Sequence, residues 1–197
     1  WIKPTVPTKS TTNSDRKITM LVYVADKKQF LHDCDYEDIE DVIQTKFKEV
    51  TGKRVAQAEV KSWQSSLSYL AKVLRDDEIA QDIGVAVELH IPQSSKRIDV
   101  TLSGYDKEGH KNVVVVELKQ WEKALKSDKD GIVVTYLGKG QREVVHPSYQ
   151  AWSYATLLEG FNESVYSGGI KVQPCAYIHN YSRDGVIDDQ HYSDYIN

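Results

Sequence analysis

The sequence predicts an α/β fold in which a central mixed β-sheet is flanked by helices. Runs rich in Val, Ile and Leu are typical of buried strands, whereas apolar residues repeated every three or four positions are typical of amphipathic helices. Along the chain these patterns follow the order helix, helix, three strands, helix and strand. Because the chain has 197 residues, of which 40% are hydrophobic and 27% charged, it is long enough to form one sizeable core.

Two amphipathic helices are predicted ahead of the sheet. The first has apolar residues at helical spacing from Ile39 to Val50, and Gly52 is expected to end it. The apolar stripe of the second helix consists of Trp63, Leu67, Leu70 and Leu74. Acidic residues on both helices, among them Glu40 and Glu59, are most simply explained as parts of solvated faces.

Three strands are predicted next, over residues 85–91, 97–102 and 113–121. The second and third are expected to form a hairpin, because the intervening segment 103–112 is dense in Gly, Asp and Asn. Residues 92–95 are expected to form the turn between the first and second strands. The three strands would then be neighbours in the sheet.

Three charged side chains stand in these apolar strands and need an explanation: Asp99, Glu117 and Lys119. A buried carboxylate without a partner is costly. Because successive side chains of a strand point to opposite faces, Glu117 and Lys119 share a face while Leu118 turns into the core. If the two strands pair in register, Asp99 joins them. Two acids and a base at one place predict a site for a hard divalent cation such as Mg²⁺, with Mn²⁺ as a substitute.

Glu88 lies on the strand before Asp99. Counting outward from a turn at 92–95 places these two carboxylates opposite each other on one face. Two carboxylates that close together repel unless a cation or a proton intervenes. Glu88 is therefore predicted to be either a supplementary ligand of the metal or its water, or the salt-bridge partner of Lys96 or Arg97, and the sequence leaves both open.

A further helix is predicted after the three strands. His146 and Pro147 are expected to begin it and Gly160 to end it. Gln150 and Tyr154 stand four positions apart and therefore share one face of this helix. A final strand is predicted over residues 172–179.

The order of these polar side chains resembles the motifs of a nuclease superfamily. The side chains concerned are Asp99, Glu117, Leu118, Lys119, Gln150 and Tyr154. The first four are similar to the D…(D/E)xK motif of PD-(D/E)xK nucleases, and the last two to the QxxxY motif of its RecB-like branch. The order of helices and strands likewise resembles the αβββαβ restriction-endonuclease-like core of this superfamily.

More closely, the chain from Met20 onward resembles the N-terminal domain of bacterial Schlafen group 3-like DNA/RNA helicases. The resemblance is carried by the segments 62–67, 91–99, 116–121, 146–151 and 174–177. It implies metal-dependent hydrolysis of phosphodiester bonds in nucleic acid, DNA more than RNA. It also implies a helicase or ATPase domain as a partner in the full-length protein.

The resemblance also implies roles for the matching residues. The implied metal ligands are Asp99, Glu117 and the backbone carbonyl of Leu118, with Glu88 as the supplementary candidate. Lys119 would orient or deprotonate the attacking water, while Gln150 and Tyr154 would position the scissile strand. A Glu from a helix ahead of the sheet often joins such sites, and Glu59 is the first position to test, with Glu40 as the other.

Positive charge is concentrated in segment 119–142, which is expected to be a lysine-rich loop. The chain as a whole has a net charge of −4, so nucleic-acid binding has to come from such a local patch. Lys123 and Arg142 are the residues expected to contact phosphates. The alternative is a loop whose lysines are only solvated.

Two other functions remain open. In the first, the nuclease fold has lost its activity and serves as a docking module for nucleic acid or protein. In the second, the acids and the lysine form a structural ion cluster in an unrelated α/β interaction domain. The intact set of Asp99, Glu117 and Lys119 argues against the first.

Composition also leads to predictions about residues 1–19 and about the cellular location of the protein. Residues 1–19 lack periodicity and are expected to be a flexible leader or tag-like segment, with the nuclease-like domain covering 20–197 and a native start at Met20. No apolar run approaches the roughly 20 residues that span a bilayer. Cys34 and Cys175 have no partner motif, so a cytoplasmic location without a membrane partner is expected.

Overall fold

The structure, a computed structural model, describes residues 20–91, 96–138 and 140–196. Its strands are β1 (Met20–Asp26), β2 (Gly84–His90), β3 (Arg97–Tyr105), β4 (Lys111–Lys119), β5 (Ala124–Lys126), β6 (Ile132–Leu137), β7 (Gly140–Val145) and β8 (Lys171–Ile178). Its helices are α1 (Lys27–Tyr36), α2 (Ile39–Thr51), α3 (Gln57–Leu74), α4 (Pro147–Phe161) and α5 (Glu163–Tyr166), and a 3₁₀ helix covers Gln190–Tyr195.

The larger of two sheets is mixed and has five strands in the order β1-β2-β3-β4-β8. The first four strands are antiparallel to their neighbours, and β8 is parallel to β4. Helices cover both faces, because Val116 packs in a core with α1, α2 and α3 while the adjacent Val115 packs in a core with α4 and α5. The prediction of a central mixed sheet flanked by helices is confirmed.

The predicted helices ahead of the sheet are confirmed as α2 and α3. Helix α2 ends as expected, since Gly52 has a φ of 69° and its N–H donates to the carbonyl of Lys48. Helix α4 begins as expected, because the Nδ1 atom of His146 accepts a hydrogen bond from the N–H of Ser148.

The predicted end of α4 is wrong. The helix continues through Gly160 to Phe161. Asn162 caps it and accepts a hydrogen bond from the N–H of Ser164 through its own side chain, which begins α5. A glycine alone is therefore an ambiguous stop signal, because it ends a helix only where the backbone turns left-handed.

The interpretation of segment 119–142 as a loop is also wrong. It contains β5, β6 and the first half of β7, and these three strands form an antiparallel sheet in that order. Buried Val133 and Thr135 alternate with more exposed neighbours along β6, which is the expected pattern of a half-buried strand. The lysines lie on and between these short strands. The high proportion of charged residues therefore made the strands difficult to recognise in the sequence. The structure also adds β1 and α1, for which no prediction was made.

The register of the larger sheet matches the predicted geometry around Glu88. The pair Val87 and Val100 and the pair Leu89 and Ile98 flank Glu88 symmetrically, so Glu88 lies opposite Asp99. Glu88 itself leaves the regular ladder because its φ is 58°, in the left-handed region.

Several predictions fall outside the described residues, namely the leader at 1–19, the turn at 92–95 and the contribution of Lys139 to the basic patch. Within the described ranges, no helix combines the length and the apolar character that a membrane crossing requires.

Two glycines that differ only in backbone conformation test this fold. We expect Gly52→Ala to destabilise the protein by about 1 kcal/mol, because a Cβ is unfavourable at positive φ. We expect Gly160→Ala to stabilise it by up to about 1 kcal/mol, because alanine favours a helical backbone. A Cβ at either position meets no atom within 4 Å, so packing does not contribute. Urea unfolding of both variants and the parent measures the two effects, and equal signs would contradict the assigned backbone conformations.

Candidate functional site

A cleft of about 550 Å³ opens where β2 and β4 end and β3 begins, between α3 and α4. Its floor is polar and charged, and its walls carry aromatic and aliphatic side chains. The charged lining residues are Glu59, Glu88, Lys96, Arg97, Asp99, Glu117 and Lys119. The cleft thus contains the three side chains that the strand pattern predicted to meet.

Strands β3 and β4 separate at the floor of this cleft. Their last regular pair is Val100 with Val116, and the next position would set Asp99 opposite Glu117. There the carboxylate of Asp99 accepts a hydrogen bond from the backbone N–H of Leu118, with an N to Oδ2 distance of 2.9 Å. The carboxylate of Asp99 thus takes the place of a backbone carbonyl as the acceptor, and this hydrogen bond holds Asp99 against β4.

Glu117 is the most deeply buried acid of the cleft, with 2% of its surface exposed. Its Oε1 atom accepts a hydrogen bond from the Nζ atom of Lys119 at 2.5 Å. Its Oε2 atom is buried and has no hydrogen-bond donor among the described residues. As the alternation predicted, Leu118 packs against the core on the side of α3 while its two neighbours face the cleft.

The carboxyl groups of Asp99 and Glu117 both have raised pKa values. Burial is the main cause for each. The charge of Asp99 raises the pKa of Glu117 further, whereas the Leu118 N–H and the Lys119 charge partly offset the rise at Asp99. Burial and their mutual repulsion therefore oppose the simultaneous ionisation of the two carboxyl groups.

These residues fit a hard divalent cation. The donors are oxygens, one buried oxygen of Glu117 has no partner, and the two carboxyl groups repel unless a positive charge or a proton lies between them. A cation would supply that positive charge. Leu118, whose backbone carbonyl is the predicted further ligand, lines the same cleft.

Glu88 reaches the cleft from β2 and makes two contacts. Its Oε1 atom accepts a hydrogen bond from the indole N–H of Trp63 at 2.8 Å, and its Oε2 atom lies 2.8 Å from Nη1 of Arg97. Burial raises the pKa of Glu88 to about 7, although the Arg97 charge and the Trp63 N–H oppose this rise. Of the two predicted alternatives, the structure shows the salt bridge with Arg97.

A different group of three side chains has metal-ligand spacing in the described ranges. Asp106, Glu108 and His110 lie in the turn between β3 and β4, with ligand atoms within 4.8 Å of one another. All three are exposed, and Asp106 Oδ1 already accepts hydrogen bonds from the backbone N–H groups of the other two. Glu88 does not form such a group with the carboxyl pair at the cleft floor.

Helix α4 brings Gln150 and Tyr154 to the cleft, as their spacing predicted. The Nε2 atom of Gln150 donates a hydrogen bond to the hydroxyl of Tyr154 at 3.0 Å. Burial, and then the charge of Glu117, raise the pKa of Tyr154, so the phenol keeps its proton. Because the amide occupies an acceptor position of the hydroxyl, the hydroxyl hydrogen is left to donate to a ligand.

The remaining predicted site residues divide into two groups. Glu59 lines the cleft from α3 and pairs with Nη1 of Arg97. Glu40, Lys123 and Arg142 are not among the residues that line the cleft. Lys123 and Arg142 are exposed on the part of the chain that carries the smaller sheet.

Two features of the cleft were not predicted from the sequence. Arg97 was predicted to share a face with Asp99 and to be a possible partner of Glu88, but it was not proposed as a site residue, and the structure places it in the cleft lining. Leu137 reaches the cleft from the end of β6, and Trp121 lies beside it in the lining. No periodic signal connects the smaller sheet with the cleft, since this contact depends on tertiary packing.

Comparisons of the chain with protein-family models, with curated proteins and with solved structures found no match. The arrangement of side chains in the cleft is therefore what supports a proposal about function.

Glu117→Gln tests the electrostatics of the cleft without any ligand. The amide keeps the shape of the acid and cannot ionise, so the variant avoids the cost of a buried charge. Because the folded-state pKa of Glu117 is raised, the parent loses stability as the pH rises above about 4.3, the ordinary value for glutamic acid, and the variant does not.

We therefore expect Glu117→Gln to unfold at a higher temperature than the parent near pH 8, and the two to converge as the pH falls below about 4.3. Thermal unfolding followed by circular dichroism in a metal chelator measures this difference. The exposed Glu159→Gln serves as the control and should show no such pH-dependent gain. A parent that is the more stable protein near pH 8 would contradict the raised pKa.

Proposed function

We propose that this chain is a metal-dependent nuclease domain that hydrolyses phosphodiester bonds of DNA or RNA with Mg²⁺ or Mn²⁺. The observation that carries the proposal is the meeting of Asp99 and Glu117, from two separating strands, with Lys119 beside them in an open cleft. Two carboxylates and an ammonium are the groups that a cation-assisted attack on a phosphate requires.

We also propose that α3, β2, β3, β4, α4 and β8 form a restriction-endonuclease-like core of the PD-(D/E)xK type. These elements follow one another in the order αβββαβ, with the smaller sheet inserted between β4 and α4. The parallel pairing of β8 with β4 and the position of the cleft where β3 begins and β4 ends support this proposal.

The charges of the cleft explain why a cation is needed. Four carboxyl groups line it, from Glu59, Glu88, Asp99 and Glu117, against three cationic side chains, from Lys96, Arg97 and Lys119. A phosphodiester therefore meets no net attraction from the fully ionised protein alone. Asp99, Glu117 and the Leu118 carbonyl would hold the ion. A bound Mg²⁺ supplies Lewis-acid stabilisation of the phosphate oxygens and lowers the pKa of a water molecule.

The protein side chains provide the remaining chemistry. Lys119 lies at the carboxylate of Glu117, where its ammonium can hold the attacking water and stabilise the negative charge that develops on the phosphate. The Tyr154 hydroxyl, fixed by Gln150, can donate to a phosphate oxygen and so orient the strand. By the resemblance described above, a helicase or ATPase domain would deliver that strand.

A cleavage assay with matched variants tests the activity. We expect the parent to cut labelled single- or double-stranded DNA or RNA only with Mg²⁺ or Mn²⁺, and Asp99→Asn and Lys119→Met to lower the rate by at least about a hundredfold. Asp106→Asn is the control, because it removes a carboxylate from the exposed group in the β3–β4 turn. Equal cleavage by parent and Asp99→Asn would assign the activity to another site or to a contaminant.

Metal binding is tested separately from cleavage. At a hundredfold excess over Kd, Mn²⁺ should stabilise the parent by about 2.7 kcal/mol, which raises the unfolding temperature by roughly 5–10 °C. Asp99→Asn should lose this shift and Asp106→Asn should keep it. A shift that Asp106→Asn loses instead would place the ion in the exposed turn. A shift without cleavage would favour an inactive docking module.

A further inference from the structure

Arg97 occupies a position in the cleft that no proposed role yet uses. It precedes Asp99 by two residues on β3, which is about 6.6 Å along the strand. Its side chain is 33% exposed and lines the cleft. Arg97 and the carboxyl pair therefore line the same open space.

Two carboxylates hold the guanidinium from one side. Glu59 and Glu88 both approach its Nη1 atom. The closest contact of each carboxylate is to the same Nη1 atom. A guanidinium has five N–H donors in all, so these two pairings do not use its whole hydrogen-bonding capacity.

The backbone of Glu88 is bent to make this arrangement. Alternation along β2 would point Glu88 away from the face that carries Val87, but both side chains line the cleft. The left-handed φ of 58° at Glu88 produces this change of face, and it is an unfavourable conformation for a residue with a Cβ. The Trp63 hydrogen bond and the Arg97 ion pair hold Glu88 there. A strained residue anchored in this way indicates that the position of Arg97 matters.

We propose that Arg97 binds a phosphate group of the nucleic-acid strand in the cleft, beside the phosphate that is cut. This inference rests on the proposed nuclease function and adds a substrate-binding residue to it. A guanidinium presents its N–H groups as a planar fork that fits two oxygens of one phosphate. Lys123 and Arg142, which the charge pattern favoured for this role, lie outside the cleft, whereas Arg97 lies next to Asp99 within it.

A matched pair of Arg→Lys variants tests the proposal. Arg97→Lys keeps the positive charge between Glu59 and Glu88 but loses the fork, and Arg75→Lys makes the same change in the Arg75–Asp35 ion pair at the end of α3, outside the cleft. The probe is a short fluorescein-labelled single-stranded DNA, with an RNA of the same sequence as a second probe. Ca²⁺ replaces Mg²⁺ in these binding reactions, and gel electrophoresis confirms that the labelled DNA and RNA are not cut. Fluorescence anisotropy gives Kd.

We expect Arg97→Lys to weaken binding by about tenfold or more, since the two-pronged hydrogen bonding of the guanidinium is lost, and Arg75→Lys to change Kd by less than about twofold. The Mn²⁺-induced rise in unfolding temperature should persist in Arg97→Lys, which a loss of folding or of the ion site would not allow. An unchanged Kd for Arg97→Lys overturns the inference. An equal loss of affinity in both variants also overturns the inference, because the effect of the Arg→Lys change would then not be specific to the cleft.

The two proposals can fail separately. If the parent cuts with dependence on Asp99 but Arg97→Lys keeps the parental Kd, only the role of Arg97 is overturned. If the parent never cuts but Arg97→Lys still weakens binding, the phosphate site stands and the nuclease function fails. If the parent binds neither strand, both fail.

A measurement on the parent covers the case in which Arg97→Lys does not fold. Phenylglyoxal modifies accessible arginines, and peptide mass spectrometry locates the modified residues. Bound DNA should protect Arg97 and leave Arg75 reactive, since Arg75 is half-exposed and does not line the cleft. Equal modification of Arg97 with and without DNA overturns the inference.

Discussion

The site depends on one hydrogen bond, from the backbone N–H of Leu118 to the carboxylate of Asp99. Without it, separating β3 from β4 would leave a strand donor without an acceptor, which is costly in a partly buried place. Because a side chain supplies the acceptor, the strands can part, and the cleft opens at that point. The same hydrogen bond orients Asp99 toward Glu117. It therefore provides the backbone N–H of Leu118 with an acceptor and also brings the two acids together.

The cleft is unfavourable for the protein on its own. Two acids are buried together, an oxygen of Glu117 lacks a donor, and Glu88 adopts a left-handed backbone. Hydrocarbon side chains of similar volume would pack there at lower cost. Arrangements of this kind are concentrated at functional sites, where a ligand supplies the missing charge or donor. The excess of carboxyl groups over cationic side chains indicates that the missing charge is positive.

The parts of the fold that the sequence predicts are those with a strong period. Helices α2 and α3 and strands β2 to β4 repeat their apolar residues often enough to be identified, and strand alternation then places Glu117 and Lys119 on one face. The smaller sheet escapes prediction because its strands are only 3 to 6 residues long and rich in charge. The sequence also could not decide which partner Glu88 has. The choice depends on the left-handed φ of Glu88, which no pattern of residue types indicates.

The smaller sheet contributes Leu137 to the lining of the cleft, and the C-terminal segment is hydrogen-bonded to that sheet. The buried Tyr192 accepts a hydrogen bond from the N–H of Ser127 and donates one to the carbonyl of Ile132 at the start of β6. His146 receives the Ser148 N–H on Nδ1, so its Nε2 must carry the hydrogen that bonds the carbonyl of Ile187. Burial lowers the pKa of His146 and keeps it in this neutral form. Leu137 at the far end of β6 lines the cleft, so the C-terminal segment and the cleft contact the same strand.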